Sequence, residues 1–223
     1  MLQSFKLAIK SIIANKMRSF LTMLGLIIGV SAVVILVSVM TGYLNNMVKS
    51  FMDMGANTIS VNLVNMPARQ ASVDQMYDFF NEHRDIFSEM TPQVSVSGTI
   101  KVGSEKTTTT TVSGVSEYYG KLKNYKLEKG RFLSYADMVS RQKVVVIGYY
   151  VASKLFGSPK AAIGETIKIN GSAFTVVGVV QRQDKTQLSA RGSDDFAFMP
   201  YSTAGQLNGT SVPDYYIFAT VNT

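Results

Sequence analysis

The hydrophobic positions of this chain form one uninterrupted run from Phe20 to Met40, which contains no charged residue. As a helix, this run would span about 31 Å, the thickness of the hydrocarbon core of a bilayer. Basic residues precede it, with no acidic residue among the first twenty: Lys6, Lys10, Lys16 and Arg18. Because basic flanks stay on the cytoplasmic side, the pattern predicts a transmembrane helix at 20–40, a cytoplasmic N-terminus and an extracytoplasmic remainder.

A cleaved signal peptide is the alternative interpretation of this run, since it also combines a basic start with an apolar segment. The apolar run is longer than the usual ~7–15 residues of such a segment. The residues that follow it, Thr41, Gly42 and Tyr43, form a poor cleavage site. A retained helix is therefore the preferred prediction.

Residues 1–19 are patterned as an amphipathic basic segment. Its apolar positions fall on one helical face: Leu2, Phe5, Ile9, Ile12 and Ile13. Such a helix can lie in the cytoplasmic headgroup layer and contact membrane lipid. A plain basic flank without this role explains the charges equally well.

Small residues recur within the predicted span at spacings of three and four: Thr22, Gly25, Gly29 and Ala32. Gly25 and Gly29 form a GxxxG pattern. Small residues on one stripe let a second helix approach closely, which contact with lipid alone does not require. The stripe predicts helix–helix packing, either between copies of this chain or with another chain.

The helical pattern continues past Met40, where Leu44, Met47, Val48 and Phe51 keep an apolar face. Gly55 offers a C-terminal stop. We therefore expect a stalk helix at 41–56 that extends the membrane helix and can carry motion across the membrane surface. An ordinary first helix of the outer domain is the alternative.

The remainder, 57–223, alternates between strand and helix patterns and predicts an α+β fold with a mixed α/β extracytoplasmic domain. Strands are expected at 58–64, 93–102, 106–115, 144–147, 166–169, 173–179, 196–199 and 215–221. Helices are expected at 73–89, at a short segment starting at 134–137, at 149–156 and at 202–207. Asn170-Gly171 is a strong hairpin signal, and the threonines at 107–111 suit an exposed strand.

Composition narrows the possible functions. The chain has no cysteine, which excludes disulfides, thiol nucleophiles and cysteine-based metal sites. Its net charge of +7 comes largely from the basic segment before the apolar run. No basic patch stands out elsewhere, so nucleic-acid binding is not expected.

Catalytic motifs are absent from the sequence: it contains no GxxxxGK[ST], GxSxG, HExxH or CxxC pattern. The single histidine, His83, falls in a predicted helix and has no evident partner as a base. Asp184, Asp194 and Asp195 fall in a loop-like stretch and are interpreted as solvated. We therefore expect a non-enzymatic chain with no cofactor and no metal.

An ordered series of segments is similar to the MacB-type (FtsX-like) family of ABC transporter permeases, with a MacB-like periplasmic core domain. These segments are 18–30 (RSFLTMLGLIIGV), 55–61 (GANTISV), 112–115 (VSGV), 127–132 (LEKGRF), 144–148 (VVVIG), 155–157 (LFG), 163–164 (IG), 167–171 (IKING) and 174–178 (FTVVG). The resemblance covers nearly the whole chain. Its structural motif residues here are Gly130, Arg131, Gly148, Gly157, Gly164, Asn170 and Gly171.

The resemblance implies a permease subunit in the cell membrane that dimerises with itself or a second permease and pairs with an ABC ATPase. ATP-driven motion would pass through the stalk to the outer domain, for export of peptides, antibiotics such as macrolides, or lipoproteins. An extracytoplasmic partner protein is also implied. The outer domain would have two lobes, with 116–205 inserted into a lobe formed by 57–115 and the C-terminal end.

The family pattern has three further transmembrane helices after the core domain, and this chain has none. The expectation is therefore an N-terminal part of a longer permease. Two alternatives stay open at this point. One is a single-pass sensor or ligand-binding module, and the other is a membrane-anchored enzyme.

Overall fold

The computed structural model describes residues 6–7, 13–53, 58–62, 71–210 and 212–221. Contacts divide the chain into two compact units, Met1–Met52 and Asp53–Thr223. Each unit is described by itself below.

The first unit is built on helix α1 (Lys16–Asp53), which is 38 residues long. Within the described residues, it is the one helix long and apolar enough to cross a membrane, with mean hydropathy 2.8 in its most apolar stretch. The helix continues unbroken past Met40 to Asp53. Its role as a stalk stays a prediction. Residues 54–57, where the stalk was expected to end, lie outside the described part of the chain.

The second unit mixes strands and short helices. Its strands are β1 (Thr58–Asn62), β2 (Phe87–Val96), β3 (Ile100–Val102), β4 (Glu105–Thr107), β5 (Thr111–Val115), β6 (Leu127–Gly130), β7 (Val144–Ile147), β8 (Thr166–Ile169), β9 (Ser172–Val180), β10 (Phe196–Pro200) and β11 (Tyr215–Thr220). Its helices are α2 (Val73–Glu82), α3 (Tyr119–Leu122), α4 (Tyr135–Val139), α5 (Tyr149–Phe156), α6 (Pro159–Ala162) and α7 (Tyr201–Asn208).

One continuous sheet runs through this unit in the order β1-β11-β2-β5-β10-β7-β9-β8-β3-β4, and β6 pairs with β9. Strand β2 belongs to both halves of this sheet. Its first residues pair with β11, and its last three residues pair with β5. The β5–β10 and β7–β9 pairs are parallel, and the other pairs are antiparallel. This mixed topology, together with the long apolar helix, confirms the predicted fold class.

Three apolar clusters fill the space around the sheet. One lies below α2 and consists of Phe80, Met90, Tyr216 and Phe218. A second, aromatic cluster includes Tyr119, Phe196 and Phe198. The largest surrounds β7, β9 and α5 and is rich in Val and Ile, as expected for strands buried on both faces.

The prediction of a helix through 73–89 was wrong in its second half. Helix α2 ends at Glu82, and β2 begins at Phe87. The Phe87 ring packs against the Phe218 ring in a tilted arrangement, with centroids 4.8 Å apart, and its strand pairs with β11. A pairing partner more than a hundred residues away therefore overrode the local helical spacing.

Two predicted long strands are each broken in the structure. The 93–102 strand stops at Val96 and restarts at Ile100, and the 106–115 strand is interrupted between Thr107 and Thr111. At the first break, Asn170 reaches across, since its Nδ2 donates to the Ser97 carbonyl at 2.8 Å. A Cβ at Gly98 would lie 1.8 Å from Asn170 Oδ1, so any larger residue there would displace the Asn170 side chain.

The sequence reasoning missed α3, β6 and α6, each only four residues long. Strand β6 is mostly exposed and shows no alternation of polar and apolar residues, so it carries no periodic signal. In the sheet, β3 pairs with β8, which was assigned to the other lobe. The division of the domain into an outer and an inserted lobe stays a prediction.

Candidate functional site

One concave feature of the second unit is a groove among α2, α4 and the start of α7, which we call the tyrosine groove. It encloses about 350 Å³ and is lined by Asp74, Tyr77, Asn81, Glu117, Tyr135, Met138, Val139 and Tyr201. A wider cleft of about 580 Å³ adjoins it and shares Asp74, Met138, Val139 and Tyr201. The wider cleft adds Arg141 and Gln206.

A capping motif in the sequence positions helix α2, which forms one side of the groove. Ser72 caps the helix in a reciprocal capping box: its hydroxyl accepts from the Gln75 N–H at 3.2 Å, and its own N–H donates to Gln75 Oε1 at 2.9 Å. The box fixes the first turn of α2. Asp74 and Tyr77, three residues apart, consequently project from one side of the helix.

An ion pair fixes α4, which supplies Tyr135, Met138 and Val139. The guanidinium group of Arg131 makes a bidentate contact with the buried Asp137 carboxylate, with Nη1–Oδ2 at 2.6 Å and Nη2–Oδ1 at 3.0 Å. Asp137 also accepts from the N–H and hydroxyl of Ser134, both at 2.8 Å. Arg131, expected to be structural, therefore holds the helix that forms one wall of the groove.

The charge on Asp137 makes this ion pair sensitive to pH. Burial by itself raises the pKa of Asp137, but the hydrogen bonds from Arg131 and Ser134 outweigh burial, so its pKa lies below its usual range. A lowered pKa stabilises the folded state above the unfolded value of about 3.9, and the contribution is lost as pH falls through the folded pKa.

We therefore expect Asp137→Asn to be destabilising at neutral pH, with a difference from the unmodified chain that shrinks as pH falls below about 4. Chemical denaturation of both chains between about pH 7 and pH 2 measures it. Arg131→Lys keeps the charge but cannot make the bidentate contact. It serves as the control and should show an intermediate loss in the free energy of unfolding. A difference that does not change with pH would contradict this account.

Burial alters the ionisable groups inside the groove. It raises the pKa of Tyr77 far above 10, with Tyr201 and Glu117 adding to the effect. It raises the pKa of Glu117 as well. The Tyr201 pKa is raised by burial and by the Glu117 carboxylate. Tyr77 and Tyr201 are therefore neutral hydroxyls at physiological pH, and the half-buried carboxyl group of Glu117 lines the same groove.

Tyr216 is fully buried, and within the described residues its Oη has no hydrogen-bond partner. Burial raises the pKa of Tyr216 to about 12, with electrostatic contributions from Tyr201 and Asp74. Tyr216 itself is not among the residues that line the groove.

The sequence indicated neither the tyrosines nor Glu117 as functional residues. They are spread over α2, the segment after β5, α4 and α7, and only the sheet brings them together. No motif spacing connects them. The one signal available was an aromatic excess, since tyrosine and phenylalanine together number 23 in a chain without tryptophan.

The glycine and asparagine residues predicted to be structural do not converge on the groove. Asn170 and Gly171 form the β8–β9 hairpin turn with φ of 50° and 82°. Gly157 ends α5 in a left-handed conformation, and Gly148 begins the same helix. Gly164 turns the chain after α6, and its N–H donates to the Val176 carbonyl at 2.9 Å.

The interpretation of Asp194 and Asp195 as solvated residues was wrong, because both are almost fully buried. Asp195 accepts from the hydroxyls of Thr109 (2.7 Å) and Thr110 (2.6 Å) and from the Arg191 N–H (2.8 Å). The prediction that 107–111 forms an exposed strand was wrong for the same reason: Thr107 and Thr110 are buried in this network.

Asp194 caps the neighbouring loop by accepting from the N–H groups of Gln183 and Asp184. Asp184 itself is exposed and binds within its own turn. Within the residues that the structure covers, no group of three His, Asp or Glu side chains could hold a metal ion.

The small-residue stripe lies on the surface of α1. A Cβ at Gly25 or Gly29 would meet no atom within 4 Å, and the Thr22 hydroxyl donates to the Arg18 carbonyl of the same helix at 2.7 Å. Leu44, Met47 and Val48 are exposed, whereas the side chain of Phe51 lies outside the described part. Packing of another helix on this stripe, Ala32 included, stays a prediction.

Comparison with known proteins identifies the class. Residues 19–223 match the family described as the MacB-like periplasmic core domain. The macrolide export ATP-binding/permease protein MacB of Aggregatibacter actinomycetemcomitans is 30% identical over 209 residues, which are 91% of this chain and 32% of that protein. The MacB protein of Chlorobium luteolum is 31% identical over 205 residues, which are 88% of this chain and 30% of the relative.

This chain belongs to the MacB-like periplasmic core domain family, so the resemblance predicted from its segments is confirmed. It spans about a third of the length of these curated relatives.

Solved structures agree on the fold. The periplasmic region of MacB from Actinobacillus actinomycetemcomitans aligns with a TM-score of 0.62 at 24% identity, over 78% of this chain and 80% of that one. The extracellular domain of the transporter YknZ from Gram-positive bacteria aligns with a TM-score of 0.60 at 19% identity, over 75% of this chain and 85% of that one.

Proposed function

We propose that this chain is the membrane anchor and extracytoplasmic domain of an ABC transporter permease subunit. It would couple ATP hydrolysis on the cytoplasmic side to movement of the domain outside the membrane. Membership of the MacB-like family supports the permease class. The curated relatives carry an ATP-binding function in their names, and this sequence has no phosphate-loop motif, so the ATPase would be a separate module or chain.

The observation that carries the coupling proposal is the unbroken helix α1. It runs for 38 residues, of which the apolar run 20–40 is enough to cross a bilayer. The same helix continues past this run to Asp53. A continuous helix can transmit rotation or translation, because bending it requires breaking backbone hydrogen bonds.

The charge pattern supports the orientation and the location. Lys16 and Arg18 lie at the N-terminal end of α1, and none of the next thirty residues is charged. By the positive-inside bias, the N-terminus is cytoplasmic and the sheet-rich domain extracytoplasmic, in the plasma or inner membrane. The stripe of Thr22, Gly25, Gly29 and Ala32 would serve packing in a permease homodimer or heterodimer.

A break in the helix tests this coupling. We expect Asn45→Pro, in the full-length permease with its ATPase, to abolish export while ATP hydrolysis continues, because proline removes a helical hydrogen bond and kinks the rod. Asn45→Ala, at the same exposed position, should leave export unchanged. Drug accumulation and ATP turnover in proteoliposomes, with a macrolide as the probe, measure both.

Two results would overturn the proposal. One is normal export by Asn45→Pro at equal protein level. The other is export that persists with an ATPase unable to hydrolyse ATP. The export substrate itself, whether macrolide, peptide or lipoprotein, is proposed from the relatives' class and not from any contact in this chain.

A ligand-binding or sensor module is the second candidate, and the tyrosine groove is the observation that favours it. A concave site with aromatic walls and unpaired carboxyl groups is what a binding domain requires. Saturable binding by a chain that has no ATPase partner in its cell would shift the assignment to this candidate.

A further inference from the structure

We propose that the tyrosine groove binds a small organic cation, namely a protonated amine carried on an apolar body. Nothing in the family assignment or in the comparisons places a ligand at this groove. The inference goes beyond the proposed function, because binding here requires neither ATP nor a partner chain.

The negative charge of the groove is not neutralised from within. Asp74 is exposed on α2, and Glu117 is half-buried beside Tyr77 and Tyr201. The ion pairs found among the described residues are Lys121–Glu89 and Arg131–Asp137, and neither includes a groove carboxylate. Two carboxylates that line one groove attract a cation, and the partial burial of Glu117 strengthens that attraction relative to a fully solvated carboxylate.

The aromatic walls suit the same ligand. Tyr135 is 70% exposed, and it lines the groove together with Tyr77 and Tyr201. Tyrosine faces attract ammonium groups through the ring quadrupole. Met138 and Val139 provide apolar area between the rings and the carboxylates.

The dimensions agree with a drug-sized molecule. The groove holds about 350 Å³, and the adjoining cleft holds about 580 Å³. Small-molecule sites are typically about 300–1,000 Å³ with a few polar groups among apolar ones. Arg141 lines the wider cleft only. Because this arginine repels a cation, the ammonium group of the ligand belongs in the tyrosine groove, which Glu117 lines.

Binding of a matched pair of probes to the full chain in nanodiscs tests the proposal. The probes are 2-naphthylmethylamine and its neutral analogue 2-naphthylmethanol, followed by fluorescence anisotropy at neutral pH, with empty nanodiscs subtracted. We expect the amine to bind saturably and at least about five-fold more tightly than the alcohol, the upper range for one partly solvated ion pair.

Asp74→Asn and Glu117→Gln should each remove most of this preference for the amine. Asp78→Asn, an exposed carboxylate on the same helix outside the groove, is the matched control and should change nothing. Tyr135→Leu keeps apolar area at an exposed site, so it should fold normally and weaken the amine more than the alcohol.

Equal affinity for the two probes would overturn the proposal. So would an equal loss in Asp78→Asn, or unchanged amine binding in Asp74→Asn, Glu117→Gln and Tyr135→Leu. The measurement needs no ATPase, so its outcome is independent of whether the coupling proposal holds.

Discussion

Replacing Gly130 with alanine is expected to lower the free energy of unfolding by about 3–4 kcal/mol, the sum of a left-handed backbone and an overpacked contact. Gly130 has φ of 81°, a conformation that alanine adopts with strain. Its Cβ would also lie 2.2 Å from the Val177 carbonyl oxygen, where β6 pairs with β9. Neither backbone can retreat without breaking that pairing.

Gly157→Ala is the matched control for this prediction. Gly157 has nearly the same φ, 77°, but a Cβ there would meet no atom within 4 Å. It should lose only about 1–2 kcal/mol, the left-handed strain alone. Denaturant unfolding of the two variants in one detergent measures the difference. Equal losses would show that the contact with Val177 does not matter.

Removing the carboxylate of Asp195 has the second large expected effect. Asp195→Ala should cost about 3 kcal/mol, since hydrogen bonds to charged groups are worth about 1.5–3 kcal/mol and their buried donors lose their acceptor. Thr109, Thr110 and Arg191 all donate to this one side chain. The segment before β5 and the segment before β10 would then lose the group that holds them together.

Asp184→Ala is the control, because that carboxylate also accepts three hydrogen bonds but is exposed and bonds only within its own turn. Its loss should be much smaller than that of Asp195→Ala. Thermal unfolding and hydrogen exchange at 107–111 distinguish the two variants. A small loss in Asp195→Ala, comparable to that in Asp184→Ala, would contradict the role assigned to the buried carboxylate.

Local patterns predicted those elements whose cause is local. The Asn170-Gly171 turn forms because both residues accept positive φ, and the capping residues Ser72 and Ser134 begin helices as expected. Helix α1 follows from its composition alone, since an apolar run of this length has no other stable form in lipid. The family segments also follow from sequence order, without any knowledge of contacts.

Long-range pairing decided the elements that were predicted wrongly. Phe87 has helical spacing from Phe80, but its ring and its backbone both find partners on β11. The threonines after Thr107 have strand propensity, but two of them turn inward to a carboxylate some 85 residues away. Local propensity is worth tenths of a kcal/mol per residue and yields to such contacts.

The sequence by itself determined the long apolar helix, its charged flank, the alternation of strands and helices, and the family. These depend on composition and on neighbours within a few residues. Only the tertiary structure decided the tyrosine groove, the burial of Asp195 and the ion pair between Arg131 and Asp137. Each of the three depends on a backbone path that brings distant residues together, and a linear pattern does not record where a sheet will place its strands.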